Sequence, residues 1–308
     1  MTQNPFEFTG AQQTIPALRA PGPRVFGKRA WPGWSQPFCD ANLMRPLDTA
    51  RIGRLGDSPW RTDGNPEVRN DRVGPPRSHV PWPGSDMHGG GNPVQRAHAT
   101  RTVPVTAMHM WRGISPTVHI PAPDAGWLWV EGNPWPAWRM ATDNTRDCHA
   151  RIITETGESW EMVGAQPVHA SWGLEQIRCS KLAHYSAAGD LMDGTDHVTK
   201  GRIQATRLLL GRNEAPHRLG LVVRGDDRDP NAQPIDQWLG LDPETVPWDT
   251  LTMDAHRVAT MLVEHGCYTF DRGGHSALAS VSGADWAGVD FGGWAPRMGD
   301  FRRVVEAG

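Results

Sequence analysis

Apolar positions in this chain fall into short runs separated by turn signals, and the period within most runs is that of a strand. Val103-Pro104-Val105 through Met110-Trp111, Thr117-Val118-His119-Ile120 and Trp127-Leu128-Trp129-Val130 have strand length and strand residue types. Ala150 to Thr154 and Ser159 to Val163 flank Glu155-Thr156-Gly157-Glu158, which predicts a hairpin. Ile203 to Leu210 alternates loosely, and Gly220-Leu221-Val222-Val223-Arg224 is another short run. Strands spaced about ten residues apart predict a sandwich or jelly roll, not a parallel α/β sheet.

One segment has a different period. From Asp254 to Gly266 the apolar residues Ala255, Val258, Ala259 and Leu262 recur at helical spacing, and Gly266 supplies a C-terminal stop. The pattern predicts a single amphipathic helix, capped by Thr252 or Asp254 and feeding a strand at Tyr268-Thr269-Phe270-Asp271. Between Arg224 and Trp248 the Asp/Pro-rich text, beginning Gly225-Asp226-Asp227-Arg228-Asp229-Pro230, predicts a long surface loop.

The first hundred residues read differently. Pro21-Gly22-Pro23, Trp31-Pro32-Gly33-Trp34, Gly74-Pro75-Pro76 and Pro81-Trp82-Pro83-Gly84 cannot sustain a ladder or a helix, because proline lacks the backbone donor and glycine raises the entropy cost of ordering. Such text predicts an extended Pro/Gly/Arg-rich arm over residues 1–100, anchored on a neighbour by its tryptophans. A mainly β module, sandwich or jelly-roll-like with one helix, follows over 101–308.

Composition narrows the function classes. A net charge of −3 gives no basic field for tracking phosphates, so nucleic acid is not expected as a partner. No window approaches the roughly 18 consecutive apolar residues of a membrane helix, and no secretory signal opens the sequence, so neither membrane insertion nor Sec export is expected. The four cysteines, Cys39, Cys148, Cys179 and Cys267, stand far apart without a C-x-x-C pair, which reads as buried thiols and gives no zinc or redox motif. Only three lysines occur, against abundant Arg, Gly, Pro, Ala and Trp, as coding by G/C-rich DNA would give.

Several constellations carry candidate chemistry. His88-Gly89-Gly90-Gly91 has the form of an oxyanion strip, but the nearest serine, in Gly274-His275-Ser276-Ala277-Leu278, lacks the second glycine of a nucleophile elbow. Asp147 and His149 precede one expected strand, and Asp193, Asp196 and His197 lie just before another. Groups so placed at one rim would serve as acid and base on a sugar, or hold Ca²⁺ through oxygen, or simply cap turns. Glu161 joins His149, His197 and Asp147 as a catalytic candidate, in a hairpin that also carries Glu155 and Glu158. Trp127 and Trp129 share one strand face, and Trp135 and Trp138 follow in loop-like text. These four are candidate contacts for a sugar ring or a partner's proline, with core filling as the plainer alternative.

The segments Asp147-Cys148-His149-Ala150-Arg151-Ile152-Ile153, Glu158-Ser159-Trp160-Glu161-Met162, 196–205, 219–224 and 263–273 resemble a family of actinobacterial surface proteins with relatives among actinobacteriophage tail proteins. The likeness covers the C-terminal half. It implies a jelly-roll-like, glycan-facing domain on the tail of a phage. Where the family carries a strand histidine, this chain has Gln204, which cannot exchange a proton near neutral pH and so favours binding or scaffolding over catalysis. The resulting expectation is a minor tail protein in the virion tail tip or baseplate, made in the host cytoplasm. Its partners would be other tail proteins, copies of itself and host cell-wall polysaccharide, with no cofactor other than an optional Ca²⁺. The alternative is a lyase or glycosidase on the same scaffold.

Overall fold

The computed structural model describes residues 45–60, 69–74, 94–107, 117–124, 126, 128, 130, 149–170, 173–192, 202–211, 214–225, 234–273, 275–281 and 291–308. Among the described residues the chain is mainly β, with two sheets and one long helix, the fold class expected from the sequence. It divides into two compact units, one formed by residues 1–45 and 79–198 and the other by 46–78 and 199–308.

The first unit is organised by one long strand. β1 (Ile52–Leu55) belongs to the second unit, and β2 (Val94–Ala107) is the spine of the first. The N-terminal end of β2 pairs in parallel with β4 (Ala150–Ile153), through Val94↔Arg151 to Arg96↔Ile153. Its C-terminal end pairs antiparallel with β3 (Thr117–Pro123) and in parallel with β7 (Gly173–Cys179). Between these halves the register with β3 jumps from Ala97↔Pro123 to Thr102↔Pro121, so β2 carries extra residues there. The bulge is held locally: His98 Nδ1 accepts from the backbone N–H groups of Thr100, at 3.2 Å, and Arg101, at 3.0 Å. Extra residues bend a strand, which lets one strand serve two sheet segments. β5 (Ser159–Val163) and β8 (Lys181–Tyr185) extend one segment, and β6 (Gln166–Ala170) pairs with β7 in the other. Val103, Val105, Ile120, Leu128, Ile152, Met162, Ile177 and Leu182 from both segments close into one core. The expected hairpin is present, with Ile153 opposite Ser159 and Gly157 at φ 90° in its turn.

The second unit has a six-stranded sheet in the order β1, β13 (Phe301–Ala307), β10 (Trp238–Leu241), β11 (Cys267–Gly273), β9 (Leu219–Arg224), β12 (Ala277–Leu278). β9 and β11 are parallel neighbours, and parallel neighbours require a crossover. The crossover contains β10 and α1 (Met253–Glu264). Helix α1 matches its sequence signature: Thr252 Oγ1 accepts from the Ala255 N–H, and Ala255, Val258, Ala259, Met261 and Leu262 are buried. Gly266 ends it at φ 72°. The buried helix face joins Leu219, Leu221, Leu239, Leu241 and Phe301 in the second core.

Three expectations are corrected. Residue 100 falls inside β2, and β1 lies at 52–55, so residues 45–60 and 94–100 form strand and core where the arm was expected. The text around Ile203 to Leu210 makes a 3-10 turn at Ala205–Arg207 and an isolated bridge from Leu210 to Ser280, not a strand. The long loop after Arg224 contains β10, a central strand of its sheet, flanked by β13 and β11. The remaining arm text, at 1–44, 61–68 and 75–93, lies outside the described residues.

Candidate functional site

The sequence candidates meet different fates. Asp147, His197, Trp127, Trp129, Trp135 and Trp138 lie outside the described residues, as does the His88-Gly89-Gly90-Gly91 strip. His149 is half-buried immediately before β4. Glu161 sits opposite Arg151 across β4 and β5, and its Oε1 lies 3.9 Å from Arg151 Nε. Both side chains are sealed, at 0% and 1% exposure. A charge without solvent must be paired to exist there, so the pair holds β4 to β5 and Glu161 is out of a substrate's reach.

Strand alternation sorts the neighbours of that pair. Ile152, Trp160, Met162 and His184 share the core face, where the rings of Trp160 and its register partner His184 stack at 4.2 Å with an interplanar angle of 10°. Arg151, Ser159, Glu161 and Tyr185 share the opposite face, and all four are buried.

Ser276 is likewise structural. Its hydroxyl donates to Asp71 Oδ2 at 2.6 Å and accepts from the Arg224 N–H, and it is 1% exposed. A serine bound to a carboxylate through a buried hydroxyl is a pin between chain segments. The two described cysteines, Cys179 and Cys267, are free thiols. Burial pushes the Cys179 thiol up to about 12, and pushes Cys267 in the same direction. Nucleophilic cysteines need the opposite shift. Among the described residues no group of three or more His, Cys, Asp and Glu side chains gathers to hold a metal ion.

The second unit brings together a polar and aromatic set that spacing gave no sign of. Trp238 and Tyr268 are register partners on β10 and β11, so their side chains rise from the same sheet face. The guanidinium carbon of Arg218 lies 3.8 Å from the Trp238 ring centroid, and Arg218 Nη1 pairs with Asp48 Oδ2 at 3.4 Å. Trp238 Nε1 donates to the His265 carbonyl at 2.9 Å, which fixes the indole over the end of α1. Tyr268 donates its hydroxyl proton to Asp236 Oδ1 at 2.9 Å. Asp236 is exposed and holds φ 59°, a left-handed conformation that costs a non-glycine residue of the order of 1 kcal/mol.

The electrostatics of this set suit contact and oppose proton transfer. Burial, then the hydrogen bond to Asp236 and its negative charge, push the Tyr268 phenol above its ordinary value. A tyrosine base needs the reverse. Burial also lowers Arg218 from its ordinary value, against the pull of the Asp48 carboxylate. The set offers a hydrogen-bonding phenol, a stacked cation and two carboxylates on one half-buried face.

Comparison of the chain with protein-family models, with curated proteins and with solved structures found no match in any of the three.

Proposed function

We propose that this chain is a minor tail protein, a structural subunit of a phage tail tip or baseplate that assembles with other tail proteins and touches host cell-wall glycan. The observation that carries the choice of contact over catalysis is the Arg151–Glu161 pair: the one described carboxylate among the catalytic candidates is sealed inside a sheet. The arm text at 1–44 supports assembly, since a Pro/Gly/Trp-rich segment gains order chiefly by lying against a partner. The tryptophans at 127, 129, 135 and 138 supply the glycan-facing chemistry, and Gln204, fully buried beside its 3-10 turn, is a side chain that cannot exchange a proton near neutral pH.

Truncation tests the assembly half of this reading. A chain lacking residues 1–44 keeps every described strand, unlike one lacking 1–100, which would lose β1 and half of β2. The truncated chain is expected to be absent from purified virions that the full chain enters. Full occupancy by the truncated chain would remove the arm as an assembly element.

A further inference from the structure

We propose that the surface around Trp248 at the N-terminal end of α1 is a docking site for the basic, proline-rich segment at residues 15–34 of a second copy of this chain. This rests on the reading of the arm as an assembly element, and it names the surface that receives it.

The surface is aromatic and acidic. Trp248 is held by its Nε1 donating to the Pro243 carbonyl at 3.2 Å, and its ring meets His256 of α1 edge-on, with centroids 5.1 Å apart. Gly292 lies against Thr252, the cap of α1, so the turn that carries Phe291 and Trp294 abuts the same helix end. Trp248, Phe291 and Trp294 are only partly buried over the second core, and Met253, the residue after the cap of α1, is 87% exposed. A methionine that open to solvent, at the helix end that Trp248 and the 291–294 turn also meet, is an exposed apolar group of the kind found where a partner binds. Residues 243–254 contain Glu244, Asp249 and Asp254 and no Lys or Arg, Glu244 and Asp249 are exposed, and the next cation along α1, Arg257, lies near Asp254 and donates to the Glu214 carbonyl.

The proposed occupant has the complementary chemistry. Residues 15–34 contain Arg19, Arg24, Lys28 and Arg29 and no acidic residue, with prolines at 16, 21, 23 and 32. Proline fixes φ near the polyproline II value, and an extended proline-rich segment loses little entropy when it lies in an aromatic-lined groove. Arginines spaced among the prolines reach the flanking carboxylates. In a chain of net charge −3, a run of four cations without an acid makes this segment a fitting ligand for that acidic rim.

Charge reversal on the full chain tests the proposal. Self-association is measured by sedimentation velocity for the wild type, for Glu244→Lys with Asp249→Lys, for Arg24→Glu with Lys28→Glu and Arg29→Glu, and for all five changes together. A synthetic peptide of residues 15–34 is titrated against each protein in parallel. The proposal expects each reversed set to weaken association about tenfold, and the combined variant to recover it. It expects the peptide to bind the wild type and to bind the Lys variant about tenfold more weakly. A monomeric wild type that ignores the peptide overturns it, as does association indifferent to the reversed charges. If loss of residues 1–44 dissolves the assembly while reversal at 244 and 249 does not, this surface falls and the assembly reading survives.

Discussion

Two charged sets, one in each unit, sit in different surroundings. In the first, Arg151 and Glu161 are driven completely out of water and hold adjacent strands. In the second, Asp236 is exposed and Tyr268 half-buried, while the Arg218–Asp48 pair, at 12% and 14% exposure, keeps only slight solvent contact. Desolvation explains the contrast. A buried pair contributes registry and is costly to break, whereas a surface set is cheap to rearrange and can exchange its partners for a ligand. The buried pair is therefore the poorer place to look for function, although the sequence placed a catalytic candidate there.

The comparison can be broken most severely at the buried pair. Glu161→Ala removes the carboxylate that faces a buried guanidinium and is expected to cost about 3–5 kcal/mol by urea denaturation, while Arg151→Met with Glu161→Leu is expected to be near neutral. A cost below about 1 kcal/mol for Glu161→Ala would mean that the carboxylate is solvated, and the enzyme reading would regain its acid. In the second unit, Gly266→Ala drives a Cβ into the Leu239 carbonyl oxygen at φ 72°. The backbone strain alone is about 1–2 kcal/mol, with the clash in addition, and a wild-type midpoint would show that this turn relaxes. Thr252→Ala, which removes the cap of α1, is expected to cost about 1 kcal/mol. Tyr268→Phe should cost about 0.5–1.5 kcal/mol, because Asp236 can turn to water, and a loss above 3 kcal/mol would place the set with the buried pair instead.

The last effect is one of pH. The Cys179 thiol is raised in the folded state, so its contribution is fully present below about pH 9 and is lost as the pH rises toward 12. Thermal midpoints from pH 7 to 10.5 are expected to fall more steeply for the wild type than for Cys179→Ala. Parallel curves would contradict the burial assigned to that thiol.

Local signals read well from sequence, and pairings between distant segments did not. Helix α1 was legible because a 3.6-residue period, Thr252 and Gly266 agree, and the 153–159 hairpin because its turn is short and contains glycine. β10 was missed because four residues in Asp/Pro-rich text carry no period, and it becomes a strand only through β11 and β13. Ile203 to Leu210 misled in the other direction: Leu208, Leu209 and Leu210 are all buried, but a 3-10 turn and a single bridge provide that burial without a ladder. The Tyr268–Asp236 contact joins residues 32 apart, and Arg218 meets Asp48 from another part of the chain. Each depends on a long-range pairing that sequence spacing does not encode. The residues of the Glu161 candidate were visible, but its burial was not, since alternation gives a side chain's face and not what covers that face.

The central claim is contact without catalysis, and one tube tests it most directly. The purified full chain is incubated with actinobacterial cell-wall polysaccharide, and both retention on the wall and the appearance of new reducing or unsaturated sugar ends are followed over time. The account predicts retention with no new ends. Release of sugar ends by the wild type, abolished by substituting His149 and His197 with Ala, would contradict it.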